Sequence, residues 1–345
     1  MKTKEIIYFL LVAVAGAVFT GCPPSPDPDP EISLLDPTEV TENGFTVHWS
    51  VLHATPAEVH LELCCAQDFN EIFKEAAIDD PAKTSYRFEG LHGATRYYCR
   101  IRVTTSDGDT PSKTSMFQTG YQSENADVIT EDGLHIAGDL FYLSSNPPKS
   151  PAMILMGHGQ INNYWKGEEL FMDLLAEGYV CYIFHWRGHG QSEYWYIPAF
   201  PTCDWGEEFV SIYALMDLEA CYTYLKAHEK VDSTRIGLMG GSLGANGALN
   251  GNNWPGVKVS VAMSGTRLGV SGANILQNVL LTAGKSDYVS GCDYWIVDEC
   301  TALYNAASEP KKLIVLEGDK HGMDILAVKG IKEEILEWIN ARMAE

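Results

Sequence analysis

The sequence predicts an α/β protein in which a doubly wound, mostly parallel sheet follows an N-terminal all-β sandwich. Three observations support this fold class. Apolar and polar residues alternate with period two between residues 31 and 119, which is typical of strands with one buried face. Further along the chain, short buried strands alternate with amphipathic helices. The chain has 345 residues, 46% of them hydrophobic, which suffices for two domains with ordinary cores.

Residues 1–21 have the pattern of a signal peptide. Lys2 and Lys4 precede an apolar stretch, residues 6–18, that is too short to span a bilayer comfortably. Small residues before Cys22 fit the bacterial lipobox, so we predict that Cys22 is lipidated and becomes the mature N-terminus. The alternatives are a simple secretion signal or a short membrane anchor with a chance cysteine.

A tether rich in proline and aspartate, residues 22–30, follows the signal peptide and predicts a stiff, exposed connection. These segments predict an exported bacterial lipoprotein, held by its lipid at the outer membrane, at the cell surface or facing the periplasm. The formal net charge of −22 argues against nucleic acid or an anionic membrane surface as a partner, because both need a basic surface.

Residues 31–119 read as a sandwich of short strands separated by turns. Within it the stretch LHGATRYYCRIRV, residues 91–103, resembles the fibronectin type III family, with Gly-Ala where Pro-Gly is usual. The matching residues are Leu91, Thr95, Tyr97 and Arg100, together with Trp49 as the buried tryptophan of an early strand.

Two cysteine pairs are candidates for disulfides, which an exported protein can form. The preferred pair is Cys292 and Cys300, which lie close together in sequence. The fibronectin-like resemblance makes the strands of Cys65 and Cys99 neighbours, so these two are expected to meet in the core, either bonded or as packed thiols. No cysteine or histidine cluster has zinc-site spacing, so no metal is predicted.

Residues 120–126 read as a polar linker, and residues 127–345 as the second domain. The second domain starts with a hairpin signal at Asp132-Gly133 and continues with alternating strands and helices. In sheets of this kind reactive groups collect at the carboxyl ends of the parallel strands. The strand ends are therefore where catalytic residues are expected.

One strand end carries the motif GGSLG, residues 240–244, between a strand and a helix. Such a G-x-S-x-G elbow turns so sharply that side chains beside the serine would collide with the backbone, while the hydroxyl projects outward. Ser242 is therefore the predicted nucleophile.

An earlier strand ends in GHGQ, residues 157–160. We predict that the backbone N–H groups of Gln160 and Leu243 form an oxyanion hole, because this pair faces the place where a tetrahedral intermediate carries its charge. His158 precedes the turn and is expected to be structural.

Loops after two later strands supply an acid and a base. Asp287 follows one strand, and His321 lies in the last loop, within GDKHG. The order Ser242, Asp287, His321 is the order expected for a triad on this type of sheet. Asp293 is an alternative acid if its loop folds differently, and Asp319 is expected to point away.

The motifs GHGQ, RGHGQS, GGSLG and GDKHG make residues 127–345 resemble the α/β-hydrolase superfamily, in particular its dienelactone-hydrolase-like and serine-aminopeptidase-like branches. The resemblance implies acyl transfer through a Ser–His–Asp triad without a metal or organic cofactor. The chain departs from the family at His185, where aspartate is frequent and supports structure. It also has Ser242 where dienelactone hydrolases proper use cysteine.

These residues predict a serine hydrolase, foremost a carboxylesterase that forms an acyl-enzyme from a small or polymer-attached ester, such as an acylated polysaccharide. Tyr194, Trp195 and Tyr196 are expected to line the substrate pocket or, alternatively, to cap the sheet edge. One alternative function is a serine peptidase of the prolyl-oligopeptidase-like kind. Another is a non-catalytic binding lipoprotein in which the sandwich does the work.

Overall fold

A computed structural model describes residues 29–105, 108–110, 112–157, 164–192, 212–270, 276–290 and 293–344. The signal peptide, the lipidation site Cys22 and most of the tether lie outside these residues and stay predictions. Within the described ranges, no helix is long and apolar enough to cross a membrane.

Eight strands form two antiparallel sheets in the N-terminal region. They are β1 (Glu31–Thr41), β2 (Gly44–Leu52), β3 (Pro56–Cys64), β4 (Lys74–Ile78), β5 (Ser85–Glu89), β6 (Arg96–Thr105), β7 (Gly108–Asp109) and β8 (Lys113–Gln118). One sheet has the order β1-β2-β5; in the other, β4, β3 and β6 are neighbours, and β7 and β8 both pair with β6. Side chains from both sheets share one core around Trp49 and Tyr97. The Tyr97 hydroxyl accepts a hydrogen bond from the His92 amide at 2.9 Å, which fixes the turn before β6.

The remaining strands form one large sheet and two short hairpins. The strands are β9 (Gln122–Asn125), β10 (Val128–Ile129), β11 (His135–Ile136), β12 (Gly138–Tyr142), β13 (Ser150–Met156), β14 (Val180–Phe184), β15 (Val231–Gly241), β16 (Val257–Met263), β17 (Val279–Gly284), β18 (Tyr288–Val289), β19 (Tyr294–Trp295) and β20 (Lys311–Leu316). The large sheet has the order β20-β17-β16-β15-β13-β14-β12-β9. Its strands from β20 to β14 are parallel, and β12 and β9 are antiparallel to their neighbours. The predicted mostly parallel sheet with an antiparallel start is confirmed.

Helices cover both faces of this sheet. They are α1 (Glu169–Ala176), α2 (Ala214–Ala227), α3 (Leu243–Asn250), α4 (Ile296–Ala306) and α5 (Ile331–Met343), with 3₁₀ turns at Tyr164–Gly167 and Gly322–Ala327. On β13, Met153 and Leu155 belong to the core under α1 and α5, whereas Ile154 and Met156 belong to the core under α2. Because successive strand residues face opposite sides, a strand buried on both faces reads as a continuous apolar run.

The predicted linker, residues 120–126, is partly a strand. Residues Gln122–Asn125 pair antiparallel with β12 and form the edge of the large sheet as β9. Polar side chains on an edge strand leave no hydrophobic alternation, so this strand has no signal in the sequence.

The expected meeting of Cys65 and Cys99 is wrong. Strand β3 ends at Cys64, and Leu63 stands opposite Cys99. Cys65 therefore lies beyond the strand and is exposed, whereas Cys99 is a buried free thiol. Cys300 also carries a free thiol, which donates to the Gly265 carbonyl, and burial raises its pKa to about 12. Its predicted partner Cys292 lies outside the described residues.

The sandwich packs directly on the large sheet and its helices. Ala94 is only 2% exposed and belongs to the core that α1 and α5 share. Tyr121, between the sandwich and β9, packs edge-on against Phe141, with 5.6 Å between ring centroids. The Glu42 carboxylate accepts hydrogen bonds from the amide and the hydroxyl of Ser144, at 2.7 and 2.8 Å. The two regions therefore share apolar and polar contacts.

Arg187, in the RGHGQS motif after β14, is a structural cation. Its side chain is 1% exposed, and its Nε lies 2.8 Å from Asp217 Oδ1 on α2. Its Nη1 lies 2.8 Å from Asp132 Oδ2 in the β10–β11 turn, and its backbone N–H also donates to Asp217. This buried ion group joins a helix, a hairpin and the segment at the carboxyl end of β14.

Replacing Asp217 by Ala is expected to lower the free energy of unfolding by about 3–5 kcal/mol, because a buried guanidinium loses its main partner. The control Asp232→Ala removes a carboxylate that pairs with Arg235 at 2.7 Å in a partly exposed place, and should cost at most about 1 kcal/mol. Urea unfolding of both variants measures the difference. Equal losses would show that the Arg187 group is not a buried anchor.

Candidate active site

The backbone makes a sharp elbow at Ser242. This residue lies between β15 and α3 with φ 53° and ψ −111°, a conformation that residues other than glycine rarely adopt. Its N–H donates to the Met263 carbonyl at 2.8 Å. A Cβ on Gly240 would stand 2.7 Å from the Gly244 Cα, and a Cβ on Gly244 would stand 2.7 Å from the Met156 carbonyl oxygen. The two glycines therefore permit the close approach of β15, α3 and the end of β13.

The three predicted triad residues meet at the carboxyl edge of the sheet. Ser242 Oγ lies 3.0 Å from His321 Nε2, and His321 Nδ1 lies 2.7 Å from Asp287 Oδ2. Asp287 is 5% exposed, whereas the His321 side chain is 28% exposed. In this arrangement the serine hydroxyl can donate to the imidazole while the opposite ring nitrogen donates to a buried carboxylate.

The loop after β17 holds Asp287 from both sides. The Asp287 N–H donates to the Gly284 carbonyl at 3.2 Å, and the Asp287 carbonyl accepts from the Ile296 N–H at 2.9 Å. The alternative acid Asp293 is exposed and accepts a hydrogen bond from the Tyr288 hydroxyl at 2.5 Å. Asp319 is exposed as well, in agreement with the expectation that it points away.

Ser264 is a neighbour of the triad that the sequence reading missed. It follows β16, is 1% exposed, and its hydroxyl lies 3.1 Å from Asp287 Oδ2. The same hydroxyl accepts the Gly322 N–H at 2.8 Å. A serine after a strand has no distinctive local pattern, so only the tertiary structure reveals these contacts.

A cavity of about 180 Å³ opens beside the serine. Its wall includes the apolar residues Leu243, Leu268, Val289 and Ile296, the ring of Tyr294, and the polar residues Asn246 and Thr266. Burial raises the pKa of the Tyr294 phenol, so its hydroxyl keeps the proton and can act as a donor.

Two side-chain clamps hold the cavity wall after β16. Asn246 on α3 accepts the Thr266 N–H at 3.0 Å and donates to the Leu268 carbonyl at 3.0 Å. Glu299 on α4 accepts from the backbone N–H and from Nε of Arg267, both at 3.0 Å. Because both sets of hydrogen bonds join residues of the protein itself, the shape of this wall does not depend on contacts with a substrate.

One of the two predicted oxyanion donors lies within the described residues. Leu243 is the first residue of α3, and amides in the first turn of a helix have no carbonyl partner one turn earlier. Gln160 and His158 lie outside the described residues, as do the predicted pocket residues Tyr194, Trp195 and Tyr196.

No three potential metal ligands cluster among the residues that the structure describes. His185, the residue at which the chain departs from the family pattern, is 8% exposed. A Cβ on Gly190 would stand only 1.6 Å from His185 Nδ1, so the ring packs against the glycine backbone of the RGHGQS segment.

No protein-family model matches the chain, and no curated protein matches it in sequence. Solved structures do match. An esterase from Pyrococcus furiosus is 18% identical, with a TM-score of 0.50 over 65% of this chain and 92% of that protein. An α/β hydrolase from a Penicillium species is 16% identical, with a TM-score of 0.48 over 65% of this chain and 100% of that protein.

A dienelactone hydrolase-like promiscuous phosphotriesterase from metagenomic libraries is 14% identical, with a TM-score of 0.44 over 58% of this chain and 83% of that protein. At these identities a likeness shows the fold alone, and of the three the Pyrococcus esterase has a TM-score that reaches 0.5. Together with the strand order and the elbow, it shows that the large sheet and its helices have the α/β-hydrolase fold.

The strained backbone at Ser242 leads to a prediction about stability. Ser242→Gly is expected to be more stable than Ser242→Ala by about 1 kcal/mol, because glycine adopts this conformation without a steric cost. Ser260, in the extended strand β16, supplies the control: there glycine should be less stable than alanine. Urea unfolding of the four variants checks both signs, and the same sign at both positions would contradict the strain.

Proposed function

We propose that the protein is a serine hydrolase that cleaves a carboxylic ester through an acyl-enzyme. The observation that carries this proposal is the continuous chain of hydrogen bonds from Ser242 through His321 to Asp287. This chain of hydrogen bonds starts at the strained elbow of Ser242, at the amino end of α3, where the nucleophile of such enzymes lies. A binding protein without chemistry has no use for this combination.

The proposed reaction starts when the Ser242 oxygen attacks the ester carbonyl and His321 takes the hydroxyl proton. The buried Asp287 carboxylate keeps the imidazole in the required tautomer and stabilises its charged form. The oxyanion develops beside the Leu243 N–H and, on our proposal, the Gln160 N–H. His321 then returns the proton to the leaving alcohol and activates a water molecule that releases the acid. No step needs a group other than these residues and water.

The cavity beside Ser242 favours a small substituent on one side of the ester carbonyl. Its 180 Å³ correspond to the liquid volume of about six water molecules at ~30 Å³ each. We propose that this cavity receives the acyl group. The alcohol part, whether small or attached to a polymer, then leaves toward solvent on the exposed side of His321.

The N-terminal sandwich belongs, on our proposal, to the fibronectin type III-like class. The two-sheet arrangement and the hydrogen bond between the Tyr97 hydroxyl and the His92 amide support this assignment. We also propose export and lipidation at Cys22, which would hold the catalytic region near a membrane. Support for this second proposal comes from residues 1–30 of the sequence alone.

A fluorophosphonate probe is expected to label Ser242, because the probe reacts with a serine that an adjacent imidazole activates. Labelling should vanish in Ser242→Ala, and mass spectrometry of the labelled peptide identifies the site. p-Nitrophenyl esters and aminoacyl anilides then separate an esterase from a peptidase. A wild-type protein that neither reacts with the probe nor cleaves either substrate class would contradict the proposed function.

Two matched variants between β17 and α4 test which aspartate is the acid. Asp287→Asn should lower kcat about 10³–10⁴-fold, since the amide supports the wrong tautomer of the base. Asp293→Asn, six residues on, should change kcat less than about twofold, because its carboxylate is exposed and bonded to Tyr288. The reverse result would make Asp293 the acid.

A series of p-nitrophenyl esters from acetate to decanoate should show that short acyl groups give the highest kcat/KM. Leu268→Ala enlarges the cavity and is expected to raise kcat/KM for hexanoate several-fold, because each buried CH₂ contributes about 0.8 kcal/mol. The control Leu52→Ala changes an exposed leucine of the sandwich and should leave the profile unchanged. A flat profile in the wild type would show that the cavity does not take the acyl chain.

A further inference from the structure

Ser264 occupies an unusual backbone position directly after β16. It has φ 58°, in the left-handed region, and is 1% exposed. Its N–H donates to the Thr282 carbonyl on β17 at 2.9 Å. A residue other than glycine in this conformation is strained, and the strain persists only when the surroundings hold the residue in place.

The hydroxyl of Ser264 touches the triad on two sides. It donates to Asp287 Oδ2 at 3.1 Å, the same oxygen that accepts from His321 Nδ1 at 2.7 Å. It also accepts the N–H of Gly322, the residue directly after His321, at 2.8 Å. One buried hydroxyl therefore connects the carboxylate of the acid to the backbone of the loop that carries the base.

We propose that Ser264 is a positioning residue for the triad. Its hydroxyl fixes the rotation of the Asp287 carboxylate, so that Oδ2 stays in line with the imidazole, and it fixes the His321 loop at the same time. This inference rests on the proposed function, because positioning matters only if Ser242 is a nucleophile. Ser264 acts through its two partners and touches no reacting atom.

The geometry favours positioning over simple core packing. Asp287 and His321 lie on loops after different strands, β17 and β20, so their mutual distance depends on two separate loop conformations. Gly322, with φ 54°, has no side chain that holds it in place. The Ser264 hydroxyl joins both loops to the end of β16. A shift of about 1 Å in such a triad lowers the rate steeply, since catalysis depends on orientation.

Ser260, within β16, provides a matched control. It is also fully buried, and its hydroxyl donates to the Ala248 carbonyl at 2.9 Å and accepts from Asn252 Nδ2 at 3.0 Å. Both serines thus have one accepted and one donated hydrogen bond, but neither partner of Ser260 belongs to the triad. Ser260→Ala therefore reproduces the loss of a buried hydroxyl without the loss of positioning.

The experiment measures kcat, KM and urea unfolding for the full chain with Ser264→Ala, Ser264→Gly or Ser260→Ala, on p-nitrophenyl acetate. Both Ser264 variants are expected to lose about tenfold in kcat, the size expected for one hydrogen bond to a charged group, with KM within about twofold. Ser260→Ala should lose similar stability and keep its kcat. In an Asp287→Asn background, the effect of Ser264→Ala on kcat should be smaller, because the part that acts through the carboxylate is already lost.

Several outcomes would overturn the proposal. Wild-type kcat in Ser264→Ala would do so, as would an equal loss of kcat in Ser260→Ala. Wild-type kcat in Ser264→Gly would assign the effect to backbone strain, and an undiminished effect beside Asp287→Asn would exclude the carboxylate. If the wild type neither turns over esters nor reacts with the fluorophosphonate, the proposed function fails and the inference falls with it. Wild-type turnover together with an unaffected Ser264→Ala removes the inference alone.

Discussion

The left-handed backbone at Ser242 is the constraint on which the rest of the site depends. The parallel ladder pairs Gly240 with Ala262 and Gly241 with Met263, and the Ser242 N–H continues it one residue beyond the strand. The chain then turns directly into α3, so that the hydroxyl stands free at the amino end of a helix. Such a conformation costs about 1–3 kcal/mol, which the burial of β15 and α3 offsets. The backbone thus fixes the position of the proposed nucleophile, and the residues of the other loops approach it there.

Asp287 and His321 differ in how firmly the surrounding structure holds them and in how far they are exposed to solvent. The end of β17, the start of α4 and the hydroxyl of Ser264 all hold the acid, and water barely reaches it. The base is partly exposed and faces the cavity. This asymmetry would suit the proposed acyl transfer, in which the carboxylate stabilises an imidazolium from a fixed place in a low dielectric. The imidazole, in contrast, must reach both the serine and the substrate.

The sequence predicted the parts of this site that depend on local order along the chain. Strand ends followed by glycine, serine, aspartate or histidine indicated where the triad residues lie, and the structure places them within hydrogen-bonding distance. Ser264 and Asn246 had no such signal, because a serine after a strand and an asparagine within a helix have no distinctive local pattern, and only the tertiary structure reveals their contacts. The Cys65 prediction failed for a related reason: period two was extended past Cys64, where the strand ends. Periodicity describes a strand but does not state its last residue.

The contacts between the sandwich and the helices of the large sheet indicate that the sandwich has a structural role. Arg96, at the start of β6, pairs with Glu169 on α1, and Lys332 on α5 pairs with the same carboxylate at 2.7 Å. Exposed ion pairs of this kind contribute little to stability one by one. The apolar contact of Ala94, which precedes β6 and lies in the core under α1, weighs more. Removing the sandwich would expose this apolar surface to water. The sandwich therefore packs against the region that carries the proposed active site, and a spacer on a flexible linker would lack such contacts.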